Sequence, residues 1–306
     1  MRAIAVKDYG TPPVLTDLPK PEPGPGEVLV HVRASSINGF DGAVAAGMLK
    51  GMMEHRFPVV LGKDFAGVVE ALGEGASLFA PGDEVFGVVM KPFLGDGGLG
   101  EYVVVGEQYG IARVPEGLDL QAAGALGLAG TAARNAVDAI APAAGELVLI
   151  SGATGGVGAI ALQYVVTADA EVIATARPGA EEEFVRGLGA THVVDHTGDL
   201  AAQVRAIAPH GVPAIVHLAG DGEQLADLLA PGGRIASTLG YGPEQHAAAV
   251  AVMANPDSAT LEKLAADAAS GGLRVMITRT YPLEETPQAL ADFGAGSHQG
   301  KLGIAV

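Results

Sequence analysis

The chain of 306 residues contains no cysteine. Disulfide bonds, thiolate nucleophiles and cysteine-ligated zinc sites are therefore excluded, because each of them needs a cysteine sulfur. The eight histidines are scattered, and none shows a metal-ligand spacing such as H-x-x-x-H. These absences restrict any catalysis to groups other than sulfur.

Basic residues are also few, since 18 lysines and arginines stand against 35 aspartates and glutamates, with a formal net charge of −17. Such a charge repels nucleic acids and anionic membranes, whose non-specific binding depends on contacts to phosphate. No apolar stretch reaches the ~20 residues of a membrane-spanning helix. The start of the chain, MRAIAVKDYG, lacks the apolar segment of a signal peptide. We expect no nucleic-acid or membrane partner and a cytoplasmic location.

The stretch from Glu146 to Ala168 has the pattern of a strand, a glycine-rich turn and a helix. Leu147–Ile150 is an unbroken apolar run, as in a strand buried on both faces of a parallel sheet. The turn Gly152-Ala153-Thr154-Gly155-Gly156-Val157-Gly158 follows. Its glycines would let the backbone approach a pyrophosphate, and the N–H groups of the helix start favour an anion. The pattern predicts a dinucleotide site, although G-x-x-G-x-x-G also fits a tight turn in another α/β protein.

Around this turn, short apolar strands alternate with helices, which is typical of an α/β protein with a doubly wound parallel sheet. The predicted strands are Leu147–Ile150, Glu171–Thr175, His192–Val194, Ile215–Leu218 and Arg234–Leu239, with a sixth near Ala248–Met253. The predicted helices are Glu181–Leu188, Leu200–Ile207, Gln224–Leu229 and Ser258–Ala269.

Before Pro115, many short strands with glycine turns predict a small β-rich domain. Within it, Ala34–Met48 is expected to be a loop. The alanine-rich stretch Gln121–Ile140 is expected to be one helix. The tail from Arg274 to Val306 returns to β character, with one helix at Pro287–Phe293.

The end of the second strand of such a sheet distinguishes NAD from NADP. An acidic side chain there holds the ribose hydroxyls of NAD, whereas a cation accommodates the 2′-phosphate of NADP. No aspartate or glutamate lies in Thr175–Pro178, and Arg177 can bind a phosphate with two parallel hydrogen bonds. We predict NADP(H) as the cofactor, the alternative being that Arg177 is a solvated turn residue.

Seven segments carry a further pattern: Phe57–Gly67, Ala80–Gly87, Glu101–Val103, Leu128–Ala132, Gly152–Gly158, Leu188–Ala190 and His298–Ile304. In this order they resemble the medium-chain dehydrogenase/reductase superfamily over nearly the whole chain, and most closely its zinc-free quinone oxidoreductase branch, to which zeta-crystallin belongs. The resemblance implies a GroES-like substrate domain of residues 1–117, completed by 274–306, and a Rossmann NADP-binding domain of residues 118–273. It also implies a homodimer or homotetramer.

The chain departs from the zinc-dependent members of that superfamily at two places. They carry Cys-x-x-Asp where this chain has Asn38-Gly39-Phe40-Asp41, and Gly-His-Glu where it has Gly62-Lys63-Asp64. Asparagine and lysine there cannot make a tetrahedral zinc site. We therefore predict that no metal is bound.

The resemblance also assigns roles to single residues. Asn38 corresponds to the family's asparagine near the nicotinamide and the substrate oxygen, where an amide can donate to a carbonyl that gains charge; otherwise it satisfies loop backbone. Thr131 is expected on the nicotinamide side. His196 stands where relatives often have a tyrosine that reaches the 2′-phosphate, and a protonated histidine can do the same; its alternative is a surface loop residue.

Small residues at the carboxyl ends of the later strands leave room for a ligand. Ala219-Gly220 and Leu239-Gly240-Tyr241 are therefore predicted to flank the cofactor, with loop geometry alone as the alternative. Tyr241 is also a candidate proton donor to the substrate. Asp41 is expected to be a structural hydrogen-bond acceptor, Lys63 a surface charge rather than a cleft cation, and His217 a packed strand-end residue.

Together these residues predict an NADPH-dependent oxidoreductase that transfers a hydride to a small quinone or α,β-unsaturated carbonyl without a metal. The alternatives are a zinc-independent alcohol dehydrogenase or carbonyl reductase, and a non-catalytic NADPH-binding sensor. Short-chain reductase chemistry is excluded, since none of the six tyrosines has a lysine four residues later.

Overall fold

The computed structural model describes the whole chain, Met1–Val306. The elements of its first part are β1 Arg2–Val6, β2 Val14–Asp17, β3 Glu27–Ser36, α1 Gly39–Ala45, β4 Glu54–His55, β5 Val59–Val60, β6 Asp64–Leu72, β7 Glu84–Val88, β8 Phe93–Leu94, β9 Tyr102–Gly106, β10 Ile111–Arg113, α2 Leu120–Ala123 and α3 Gly127–Ile140. They continue with β11 Leu147–Ser151, α4 Gly156–Thr167, β12 Glu171–Thr175, α5 Ala180–Gly187, β13 His192–Val194, α6 Leu200–Ile207, β14 Val212–His217, α7 Gly222–Ala226, β15 Leu229–Ser237 and β16 Ala249–Ala251. The last are α8 Ser258–Ala269, β17 Ile277–Pro282, a 3₁₀ turn Leu283–Glu285, α9 Thr286–Gly294 and β18 Lys301–Ala305.

The chain divides into two compact units. The β-rich unit contains Met1–Leu128 and Pro256–Val306, and the parallel-sheet unit contains Ala129–Asn255. The sequence placed the boundaries between residues 117 and 118 and between 273 and 274. They differ because α2 packs against β3, β6 and β18, while α8 packs against β10, so both helices belong to the β-rich unit.

In the β-rich unit, β3 is the central strand. It pairs antiparallel with β6, β9 and β18 in a seven-stranded sheet. Alternate residues Val28, Val30 and Val32 are buried against Phe65 and Val85, since successive side chains of a strand point to opposite faces. The β-rich character expected of this part of the chain is confirmed.

The second unit contains a six-stranded sheet in the order β13-β12-β11-β14-β15-β16, in which every pairing is parallel. This is the doubly wound order of a Rossmann fold, with the first strand beside the fourth. The unbroken apolar strands are buried because helices cover both faces of such a sheet. The predicted fold class is thereby confirmed. None of the helices combines the length and the apolar composition that crossing a membrane needs.

Two local expectations were wrong. The predicted loop Ala34–Met48 contains the end of β3 and the helix α1, at whose start the Asp41 carboxylate accepts from the backbone N–H of Asn38. The predicted single helix Gln121–Ile140 is divided into α2 and α3. Gly124 is the C-cap of α2 and lies so close to β3 that an added Cβ would be 2.8 Å from the Ala34 backbone.

Candidate active site

The glycine turn joins β11 to α4 at the carboxyl edge of the parallel sheet. Gly152 has a φ of +71°, which favours glycine, and its N–H donates to Thr175 Oγ1 at 2.9 Å. A Cβ on Gly158 would be 2.1 Å from the carbonyl oxygen of Gly152, so only glycine fits there. Gly155 is the N-cap of α4 and makes no side-chain capping bond. The first turn of α4 therefore presents backbone N–H groups that no side chain caps, which suits a pyrophosphate.

The other strands of this sheet end at the same level. Ser151 of β11 is in register with His217 of β14, and His217 is in register with Ser237 of β15. Ala219-Gly220 and Leu239-Gly240-Tyr241 follow these ends directly, so the structure brings them to the edge that carries the glycine turn.

An open cavity of about 450 Å³ lies at this edge, lined by Gly220, Leu239–Tyr241 and His217 among others. His217 is buried at the end of β14, as expected, and its ring is perpendicular to that of Tyr241 at 5.9 Å between centroids. Partial burial and the nearby carboxylates Glu223, Asp221 and Asp227 raise the pKa of Tyr241. A raised pKa makes the phenol a weaker acid, and it keeps its proton at neutral pH. Its role as the proton donor stays a prediction.

Arg177 and His196 follow neighbouring strands, β12 and β13, and the structure brings both to one carboxylate, that of Glu181. Arg177 Nε donates to Glu181 Oε1 at 2.8 Å, and its backbone N–H donates to Glu181 Oε2 at 2.8 Å. His196 Nε2 lies 4.0 Å from Glu181 Oε2. Arg177 is thus an ion-paired residue and not an isolated cation. Thr131 is buried on α3.

Asn38 lies in the β-rich unit, in a buried polar network centred on Asp64. Asp64 Oδ2 accepts from Ser36 Oγ at 2.6 Å and from Asn38 Nδ2 at 2.8 Å, while Oδ1 accepts from the backbone N–H of Leu128 at 2.7 Å. Lys301 Nζ lies 3.5 Å from Asp64 Oδ2 and donates to Asn38 Oδ1 at 2.6 Å. The ammonium can only donate, so it fixes the orientation of the Asn38 amide. The amide's N–H groups point to Asp64 and to the Ser36 carbonyl.

Asp41 and Lys63 lie beside this network and line a small cavity of about 20 Å³. Asp41 accepts from the backbone N–H groups of Asn38 and Lys63, at 2.8 and 3.1 Å, so its structural role is confirmed. Burial raises the pKa of Asp41 to about 7.

The expectation that Lys63 is a surface charge was wrong. Its ammonium donates to the carbonyl of Val89 and lies 5.1 Å from the centroid of the Phe40 ring. Burial lowers the pKa of Lys63. The backbone turn at Gly62, whose φ is +104°, precedes this inward side chain, and local sequence does not reveal its direction.

The residues at the two family zinc positions do not fit a metal. Asn38 and Asp64 already bind each other, and the ammonium of Lys301 lies between them as a donor that cannot ligate a cation. Lys63 replaces a histidine and is likewise a donor only. We derive no step through zinc.

A GroES-like β-rich unit with a six-stranded Rossmann sheet defines the alcohol-dehydrogenase type of oxidoreductase. The chain matches the alcohol dehydrogenase GroES-like domain over residues 24–116 and the family described as zinc-binding dehydrogenase over residues 188–302. It is 31% identical to a quinone oxidoreductase of Lama guanicoe, covering 95% of this chain and 93% of that protein. The chain therefore belongs to the medium-chain dehydrogenase/reductase superfamily, in its quinone oxidoreductase branch, and is an oxidoreductase.

Solved structures agree with this assignment. The quinone oxidoreductase from Coxiella burnetii has a TM-score of 0.90 at 29% identity, covering 100% of this chain and 99% of that one. A mycobacterial protein complexed with NADPH has a TM-score of 0.86 at 24% identity, with both chains covered to 100%, and shows the same fold.

Sequence reasoning missed Glu181 and the pairing of Lys301 with Asn38. Glu181 had a local signal, because a residue four positions after Arg177 at a helix start faces it. Lys301 lies 263 residues from Asn38 in the chain. No local pattern could have joined these two.

Proposed function

We propose that this chain is an NADPH-dependent reductase that transfers a hydride to a quinone or an α,β-unsaturated carbonyl without a metal. The observation that carries the proposal is the edge of the parallel sheet, where the uncapped glycine turn and Arg177 follow adjacent strands. The turn suits the pyrophosphate, and Arg177 suits a 2′-phosphate. When bound, the reduced cofactor supplies the hydride, and a proton from water completes the reduction of the acceptor.

Arg177 supports NADP(H) over NAD(H) because half of its side chain is exposed despite the pair with Glu181. Two of its N–H groups point to Glu181, which leaves three of the five donors for a phosphate. His196, also on this edge, adds a second group that can donate to phosphate when protonated.

The buried network of the β-rich unit favours acceptors that stabilise their own charge. The N–H groups of the Asn38 amide donate to Asp64 and to the Ser36 carbonyl, so a substrate oxygen would have to compete for them. Quinones and enones delocalise the charge that a hydride brings, and they need less polarisation than a simple ketone does. Reduction of a simple carbonyl therefore ranks second.

We also propose a cytoplasmic homodimer. The support for a dimer is the open edge of the parallel sheet at β16, which has one strand neighbour, β15. Val250 in β16 is 50% exposed, and Met253 just beyond the strand is 83% exposed. Unprotected strand edges of this kind pair with other strands. Light scattering after gel filtration should give twice the mass of 30.6 kDa, and Val250→Lys should lower it to that of the monomer.

The experiment that tests the activity is NADPH oxidation by the purified protein across quinones, enones, aldehydes and ketones, with NADH as the matched control. Turnover of quinones or enones with NADPH supports the proposal, and turnover of ketones alone would replace it by carbonyl reduction. Tight NADPH binding without turnover of any acceptor would favour a non-catalytic NADPH-binding sensor. A preference for NADH would overturn the cofactor assignment.

A further inference from the structure

Glu181 occupies a position that decides how strongly a 2′-phosphate can be held. It lies in the first turn of α5, with a side chain only 11% exposed, and Arg177 beside it is 50% exposed. Its oxygen Oε1 accepts from the Nε and Nη2 groups of Arg177, and Oε2 accepts from the Arg177 backbone N–H. Hydrogen bonds from Arg177 lower the pKa of Glu181. The carboxylate is therefore ionised at neutral pH.

The same carboxylate faces the second candidate phosphate-binding group of the subsite, because His196 Nε2 lies 4.0 Å from Oε2. A 2′-phosphate bound on the outer side of Arg177 would have a fixed negative charge behind the guanidinium. Coulomb repulsion between the two anions acts only on the phosphorylated cofactor, since the ribose hydroxyls of NAD(H) carry no charge. The ion pair with Glu181 already neutralises the charge of Arg177.

We propose that Glu181 is a selectivity residue of the cofactor site, whose charge lowers the preference for NADP(H) below what Arg177 and His196 would give alone. This inference rests on the proposed function, because it assumes that the dinucleotide binds at this edge. The carboxylate holds Arg177 by its inner N–H groups and leaves the outer ones to the phosphate. Both phosphorylated and unphosphorylated cofactors are then accepted, with NADP(H) ahead.

The test is equilibrium binding of the full-length protein to NADPH, NADH, 2′,5′-ADP and 5′-AMP, measured by calorimetry. Glu181→Gln keeps the size of the side chain and removes its charge. We expect it to tighten NADPH and 2′,5′-ADP by about three- to tenfold, the range of exposed charge interactions with a dianion. Binding of NADH and 5′-AMP should stay within about twofold of wild type on the same grounds.

The matched control is Glu182→Gln, which removes the same charge from the next residue of α5. Glu182 pairs with Arg186 by the same four-residue spacing, at 2.9 Å, and away from Arg177. This variant should not separate the two cofactors. Circular dichroism of both variants shows whether α5 and the rest of the fold are retained.

Each other result overturns the inference in a different way. Weaker NADH and 5′-AMP binding by Glu181→Gln would mean that Glu181 holds the ribose hydroxyls. Weaker NADPH binding would mean that orienting Arg177 outweighs the charge, and unchanged affinities would mean that the pair has no part in selection. Failure of the proposed function looks different, since the wild-type protein itself would then bind neither cofactor and this inference would fall with it.

Discussion

Replacing Lys301 by methionine should destabilise the protein strongly, because the ammonium is buried among groups that need it. Lys301 is 4% exposed, and its Nζ donates to Asn38 Oδ1 at 2.6 Å and to the Ile37 carbonyl at 3.1 Å. Asp64, fully buried, lies 3.5 Å away. Methionine fills a similar volume but leaves the Asp64 charge uncompensated. Breaking a buried pair from one side costs about 3–5 kcal/mol.

The assay is urea unfolding followed by far-UV circular dichroism, since the chain has no tryptophan to report on tertiary structure. Lys263→Met is the control, because Lys263 pairs with Asp267 on the exposed face of α8 and is 58% exposed. Exposed pairs contribute about 0–1 kcal/mol. The double variant Lys301→Met/Asp64→Asn should recover part of the loss, since residues in one network couple by about 0.5–3 kcal/mol.

Lys301→Met should lower the free energy of unfolding clearly more than Lys263→Met does. If Lys301→Met changed the free energy of unfolding by no more than Lys263→Met does, the buried ammonium would make no net contribution to stability.

Three further predictions follow from the site. Burial raises the pKa of Asp41 to about 7 from about 3.9 in the unfolded chain, so the unfolded state releases this proton first as the pH rises. The stability of wild type relative to Asp41→Asn should therefore fall by about 2–3 kcal/mol between pH 5 and 7. If urea melts of the two proteins showed the same dependence on pH, the shift would be contradicted. Arg177→Asp should weaken NADPH binding about tenfold or more, because it replaces an attractive charge with a repulsive one, and should leave NADH binding nearly unchanged. Equal losses of affinity for both cofactors in calorimetry would exclude a contact between Arg177 and the 2′-phosphate. Gly158→Ala places a Cβ 2.1 Å from the Gly152 carbonyl oxygen, so it should lower stability by about 1–3 kcal/mol and abolish binding of both cofactors. The control is Gly187→Ala on α5, where an added Cβ meets nothing within 4 Å; it should change neither stability nor binding.

The buried sheet was readable from the sequence because its signal is local. The strands Glu171–Thr175 and His192–Val194 and the helices Leu200–Ile207 and Ser258–Ala269 have the bounds that the apolar pattern predicted. Unbroken apolar runs mark strands buried on both faces, and positions three and four apart mark the inner face of a helix. The glycine turn was readable for the same reason, since Gly158 is required by the Gly152 carbonyl six residues before it.

The direction of single side chains and the contacts between distant segments depended on the tertiary structure. Lys63 points inward to the Val89 carbonyl, and Lys301 reaches Asn38 across 263 residues. Gly124 interrupts a predicted helix because β3 passes close to it. Sequence alone determined the class of fold, the dinucleotide turn and the candidate phosphate-binding arginine. Only the folded chain decided that the ammonium of Lys301 lies beside Asn38 and Asp64, because burial and charge compensation between distant segments are properties of contacts that local periodicity does not encode.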